Sequence, residues 1–185
     1  MFAWNRLDAP SVRRARCGVT IVIRPYVPAD APVLLELFRR SVREVASADY
    51  SPEQVRAWAP DDLDVETFAR RRAAAGTWVA ERDGAVAGFT DLSDDGYIDM
   101  FFVHPEHARR GVATALMAHV LGEARRRGLA RLTVAASITA RPLFERSGFT
   151  VVREQRVERG GQWFTNYAMQ RVEGATAEDG PPPKR

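Results

Sequence analysis

Cysteine occurs once among the 185 residues, at Cys17, which excludes an internal disulfide framework and a cysteine-based zinc site. Apolar runs are short: none approaches the roughly 18 residues that a membrane-crossing helix requires, so no membrane span is expected. Histidine is scarce, and His104 and His107 lack both the i, i+4 spacing of a helical pair and a third ligand, so no metal is expected. Lysine is scarcer still, and almost every cation is arginine. The formal charge of +3 invites a nucleic-acid reading. The placement of that charge removes it. Residues 1–18 carry Arg6, Arg13, Arg14 and Arg16 against Asp8, and residues 173–185 carry Glu173, Glu178 and Asp179 against Lys184 and Arg185. Residues 19–172 are left with only +1, and no nucleic-acid partner is expected.

What is present reads as one globular domain. Hydrophobic residues at 45% against 28% charged are enough to form a core and too many for a disordered chain. Residues 1–18 have neither helical nor strand periodicity, and no apolar stretch of the secretory kind, so a disordered extension is expected. Residues 173–185, a polar Gly/Pro tail, are expected to be disordered as well. Between them, 19–24 reads as a strand and 29–46 as an amphipathic helix. Ser51-Pro52-Glu53-Gln54 combines an N-cap, a first-turn proline and a capping-box glutamine. Asp64 opens a third helix that ends at Gly76. Strands follow at 77–82 and 85–92 around the hairpin dipeptide Asp83-Gly84, and at 97–103. A helix at 111–127, a strand at 131–136, a short helix at 139–147 and a hairpin of 150–158 with 162–172 complete the order. This is an α/β chain with a mixed sheet of about seven strands and helices on its faces.

The informative stretch is Tyr97–Ala118, YIDMFFVHPEHARRGVATALMA. An apolar strand leads through His104-Pro105-Glu106 to Arg109-Arg110-Gly111 at the start of a long helix. The first N–H groups of that helix lack internal partners, and its dipole is positive there. With two forked guanidinium donors and the small Gly111 and Ala113, this is a pyrophosphate cradle; an ordinary helix start with two solvated arginines is the other reading. The segment lacks the Gly-Lys-Ser/Thr of a Walker loop and the further glycines of a dinucleotide fingerprint.

The window Ala108-Arg109-Arg110-Gly111-Val112-Ala113 resembles the acyl-CoA-binding motif of the GNAT superfamily of N-acetyltransferases, Gln/Arg-x-x-Gly-x-Gly/Ala, with Ala108 departing at the first position. Ser137–Phe149, SITARPLFERSGF, resembles the second family block, with Ser137 where an Asn is common. With YSPEQVRAW and RGGQWFTNYAM, these blocks are similar to a bacterial branch labelled YafP-like. The resemblance covers about Ile21 to Gln170. It implies a mostly antiparallel, twisted sheet with helices on both faces and a splayed fourth strand. It also implies a cytoplasmic enzyme that takes acetyl-CoA and an amine acceptor; the oligomeric state, a homodimer included, is left open. Cofactor contacts carried over by position are Phe101, Phe102, Val103, Arg109, Arg110, Gly111, Val112, Ala113, Thr114, Ser137 and Phe144.

Acyl transfer to an amine sets three tasks. An oxyanion needs a donor, and the resemblance assigns it to the backbone of Phe102 or Val103. The amine must be neutral: for a pKa near 10.4 only about one molecule in a few thousand is neutral at pH 7, a penalty of about 4–5 kcal/mol. Asp99, a carboxylate in an apolar strand, is the expected base; pairing with an arginine or an open part of the sheet would also explain it. Alternation puts it on one face with Tyr97, Phe101 and Val103. The departing thiolate needs a proton, yet Phe144 stands where the family commonly has a tyrosine. Tyr167, Ser137 or water is left for that task, with packing as the other role of Tyr167. Acceptor contacts implied by position are Glu44, Asp49, Tyr50, Trp58, Trp163 and Asn166. Phe144 and Ala108 also motivate an alternative, a non-catalytic acyl-CoA-binding or regulatory module.

Overall fold

The computed structural model describes residues 19–172; the disorder expected of residues 1–18 and 173–185, and Cys17, lie outside the described residues. Strand β1 (Ile21–Pro25) leads into α1 (Ala31–Arg40), which continues as a π turn over Ser41–Val45 and a 3-10 turn over Ala46–Ala48. Helix α2 (Pro52–Trp58) starts at the expected capping box: Ser51 Oγ accepts the Gln54 N–H at 3.3 Å, and Gln54 Oε1 accepts the Ser51 N–H at 2.8 Å. Helix α3 (Val65–Ala74) is capped by Asp64, whose carboxylate accepts the N–H groups of Glu66 and Thr67. Strands β2 (Thr77–Arg82) and β3 (Ala85–Asp91) turn at Asp83 and Gly84, both at positive φ as a tight hairpin requires.

The single strand expected over 97–103 is two strands. β4 (Tyr97–Ile98) pairs in parallel with β6 (Arg131–Ser137), whereas β5 (Phe101–Val103) pairs antiparallel with β3. The cause is Asp91 at the end of β3, whose Oδ1 accepts the N–H groups of Asp99 at 2.8 Å and Met100 at 3.0 Å. Those two amides cannot then join a strand ladder, and the chain bulges. Two successive residues, Asp99 and Met100, now face the same side as Tyr97 and Phe102, while Ile98 and Phe101 turn to the other. The expected face of Asp99 with Phe101 and Val103 is therefore corrected: the bulge shifts the alternation by one.

Helix α4 (Val112–Arg126), helix α5 (Arg141–Arg146) and strands β7 (Thr150–Arg159) and β8 (Gln162–Val172) complete the chain. The sheets are β1-β2-β3-β5 and β4-β6-β8-β7, four strands each. One core, built on Leu34, Leu37, Phe38, Phe68, Phe89 and Phe164, lies under α1 to α3. A second, with Ile98, Val120, Leu132, Phe144 and Met169, lies under α4 and α5. Gly88 sets how closely α4 sits on β3. A Cβ there would come within 3.0 Å of both Leu116 and Val112 and 2.9 Å of the Phe102 carbonyl, so only glycine admits the first turn of α4 beside β5.

Candidate active site

Beyond Ile98 and Val134, β5 and β6 belong to different sheets, and the space between them is a V whose inner edge is β5. The phase of the β3–β5 ladder is fixed by two bonds, Asp91 N–H to Met100 O at 3.2 Å and His104 N–H to Ala87 O at 2.9 Å. Alternation then turns the Phe102 N–H toward β3 and leaves those of Phe101 and Val103 on the open edge. Val103 and Phe101, rather than Phe102, are the residues whose amides can meet a ligand in the V.

At the end of β5, a 3-10 turn over Pro105–His107 carries the chain to the start of α4. Arg109 takes a left-handed conformation, φ 59°, uncommon for a side-chain-bearing residue, and Gly111 follows at φ 85° as the N-cap. Glycine stands at 111 for its backbone rather than for room: a Cβ would make only an ordinary 3.5 Å contact with Ile21. The helical ladder of α4 starts with Ala115 N–H to Gly111 O at 3.0 Å, so the amides of Val112, Ala113 and Thr114 sit ahead of it. The Val112 side chain is buried, leaving its backbone as the available group. Arg109 and Arg110 are exposed and have no acidic partner among the described residues. The local field is positive: burial, then His104, Arg82 and Arg110, push the His107 imidazole below its ordinary pKa.

On the α1–α3 side the V opens into a cavity of about 630 Å³, in the range of small-molecule sites. Tyr50, Trp58, Phe68, Phe102 and Phe164 supply its aromatic wall, and Asp99, Ser137 and Asn166 its inner polar groups. The Asp99 carboxyl side chain is 58% exposed, and its Oδ2 meets Arg72 Nη2 at 3.3 Å. Arg72 is buried and also holds Asp91, the carboxylate that makes the bulge. Burial pushes the Asp91 carboxyl up, against the pull of the Met100 N–H, Arg72 and the Asp99 N–H. Desolvation, then the charges of Asp99 and Asp91, raise the pKa of Tyr97, so its hydroxyl stays protonated.

Of the expected acceptor residues, Tyr50, Trp58 and Asn166 line this cavity, whereas Glu44 and Trp163 do not. Glu44 pairs with Arg40 at 2.6 Å, and Trp163 is 55% exposed beneath Arg156. Asp49 accepts a bond from Thr139 Oγ1. Tyr50 is largely spoken for, donating to Thr165 O and accepting the Ile138 N–H, both at 3.0 Å. Tyr167 lies on the opposite sheet face, packed against the second core with the Arg141 guanidinium 4.4 Å from its ring centroid. Phe144 is 1% exposed, between Phe101 and Phe149. Among the described residues no group of three or more His, Cys, Asp or Glu is placed to hold a metal. Arg72, Asp91, Arg71, Met100 and Arg159 are the site residues that the sequence reading missed. Arg71 and Arg72 sit in an Arg-Arg-Arg run whose members are indistinguishable until α3 is packed, and Asp91 acts on a strand it does not belong to.

Comparison with known proteins agrees with this fold. Residues 46–171 match the family model described as Acetyltransferase (GNAT) domain. The chain is 44% identical over 149 residues to the uncharacterized N-acetyltransferase YafP of Escherichia coli (strain K12), covering 80% of this chain and 94% of that protein. It is similar to the crystal structure of a GCN5-related N-acetyltransferase from Rhodopseudomonas palustris, with TM-score 0.79, 35% identity, and 83% and 96% of the two chains covered. The YncA putative acetyltransferase of Salmonella typhimurium, solved with acetyl-CoA, shares the fold at TM-score 0.66 and 21% identity, covering 85% of this chain and 96% of that one. The family match and the YafP relationship together make this chain a member of the GNAT acetyltransferase family, and hence an acyltransferase.

Proposed function

We propose that the chain moves an acetyl group from acetyl-CoA to a primary amine by direct attack in a ternary complex. One observation carries the reading: the open edge of β5 has Asp99 and the aromatic cavity at its start and leads at its end to the N-terminus of α4. The amides of Val112, Ala113 and Thr114, with Arg109 and Arg110, would hold the pyrophosphate. The pantetheine arm would then run along the free amides of Val103 and Phe101, one of which can bond the thioester oxygen as charge develops on it. The amine enters from the aromatic cavity and gives its proton to Asp99, directly or through water. Its nitrogen bonds the carbonyl carbon, the C–S bond breaks, and the thiolate leaves with a proton from Tyr97, Ser137 or water. Tyr97 and Ser137 are suited to this: of the hydroxyls lining the cavity, Tyr50 already donates to Thr165. A thiolate is also a tolerable leaving group, since a thiol has a pKa near 8.5.

The donor is a phosphate-bearing cosubstrate that does not cross membranes unaided, which supports a cytoplasmic setting. Among the described residues, no helix is long and apolar enough to cross a membrane. The test is thiol release from acetyl-CoA across a panel of amines, alongside a thermal melt. Release that depends on an amine is expected. A stabilised melt with no release from any amine would overturn transfer and leave only binding.

A further inference from the structure

The charges around the cavity restrict which amine fits. Arg72 is neutralised by Asp91, and the Glu158 carboxylate is occupied by its own hairpin, accepting the Gly161 N–H at 2.6 Å. Arg71, in the last turn of α3, and Arg159, at the end of β7, line the same cavity, are exposed, and their side chains have no hydrogen bond or ion pair to other described residues. The Arg159 charge reaches Tyr97, where it acts against the burial that raises the phenol pKa. The same cavity is lined by the half-exposed Asp99 carboxylate and by Asn166, whose Oδ1 is shielded from solvent and has no partner. Asn166 sits opposite Ser137 in the β6–β8 register, beside the V.

Two guanidiniums whose side chains have no partner on a cavity lining select an oxyanion, and the exposed Asp99 carboxylate beside them selects a cation. A diamine or polyamine would satisfy Asp99 but would set its second cation against Arg71 and Arg159, with Glu158, already bonded to the Gly161 N–H, the one other lining carboxylate to offset them, a net unfavourable like-charge contact. We infer that the acceptor is an amino-acid-like molecule. Its amine lies on Asp99, its carboxylate, borne by the same carbon, on Arg71 and Arg159, and its apolar or aromatic body against the wall. This rests on the acetyl-transfer reading and adds the substrate class. The bond formed is the amide N–C bond and the bond broken is the thioester C–S bond. The amine proton leaves by way of Asp99 and a proton returns to the CoA sulfur.

The test uses matched probes on the full chain with CoA present: phenylalanine, phenethylamine (the same body without the carboxylate) and spermidine, by titration calorimetry. Phenylalanine should bind about tenfold or more tightly than phenethylamine, as expected for charge-assisted hydrogen bonds. In the Arg71→Gln/Arg159→Gln double variant that ratio should fall toward one, while acetyl-CoA still raises the melting temperature, showing the fold intact. Equal or weaker binding of phenylalanine, a preference for spermidine, no binding of either matched probe, or a ratio unmoved in the double variant overturns the inference. Turnover distinguishes the two readings. Amine-dependent thiol release without carboxylate preference leaves acetyl transfer standing and overturns only the acceptor class. Carboxylate-selective binding without any thiol release supports the acceptor site and overturns transfer.

Discussion

Asp91 and Asp99 share one guanidinium, that of Arg72, yet the two carboxylates have different work. Asp91 is 2% exposed in its side chain and Arg72 5%, so the pair is desolvated on both sides, whereas Asp99 is 58% exposed. Breaking a buried pair strands a charge in the interior, which costs about 3–5 kcal/mol, while an exposed pair contributes about 1 kcal/mol or less. Asp91→Leu should therefore lower urea-denaturation stability by about 3–5 kcal/mol, and Asp99→Asn by less than about 1 kcal/mol. The order of activity loss should be read with that in mind. Asp99→Asn, with its fold intact, should lose about 100-fold or more in kcat at neutral pH, the usual worth of a general base. The deficit should narrow as the pH approaches the pKa of the amine, because the acceptor then deprotonates without help. An unchanged pH–rate profile in Asp99→Asn would remove Asp99 as the base.

At the scale of elements, α4 carries charge chemistry at both ends. Its N-terminus depends on Gly111 at φ 85°, which a side-chain-bearing residue adopts only at a cost of roughly 1–2 kcal/mol. Gly111→Glu adds an anion among the free amides, so acetyl-CoA should no longer raise the melting temperature; a retained rise would sink the cradle assignment. At the other end, Arg126 and Arg127 hold the Glu123 carboxyl down to about 2. A carboxyl whose folded pKa is depressed stabilises the fold above its ordinary value near 4.3 and loses that contribution as pH falls through the folded value. The stability gap between the parent chain and Glu123→Gln should be full at pH 6 and close between about pH 4 and pH 2, followed by melts in a pH series. Elements like these were legible in the sequence because their signals are local. Ser51, Gln54, Asp64 and the Asp83-Gly84 turn act within four residues of themselves, and each does what its spacing predicts. The break between β4 and β5 was not, except through family resemblance. YIDMFFV reads as an unbroken strand, and what interrupts it is a carboxylate on β3 held by an arginine on α3. The acceptor cavity fails to read for the same reason: Trp58 and Trp163 are alike in sequence, and only the packing of α2 on β8 turns one inward and leaves the other outside.

The whole molecule is two four-stranded sheets that share a short parallel contact, Tyr97–Ile98 with Thr133–Val134, and then part. Each sheet has an outer edge, at β1 and at β7, and an inner edge at the seam, where the edge amides of β5 face the V. A strand edge of this kind is normally protected by charge, brevity or cover, and β5 is three residues long. The seam therefore has the properties of a site to be completed by an extended ligand with its own carbonyls and amides, and amide hydrogen exchange reads it residue by residue. In the free chain the Phe101 and Val103 amides should exchange rapidly, since they have no ladder partner, while the Phe102 amide, turned toward β3, should be slow. Acetyl-CoA should slow Phe101 and Val103 by about tenfold or more, the factor that corresponds to one hydrogen bond of typical net strength, and leave Phe102 where it was. Slowing confined to the first turn of α4 would mean that the phosphates bind without the pantetheine arm entering the V. Slowing of Phe102 instead would mean that the ladder phase deduced from Asp91 and His104 is wrong, and with it the assignment of the oxyanion donor.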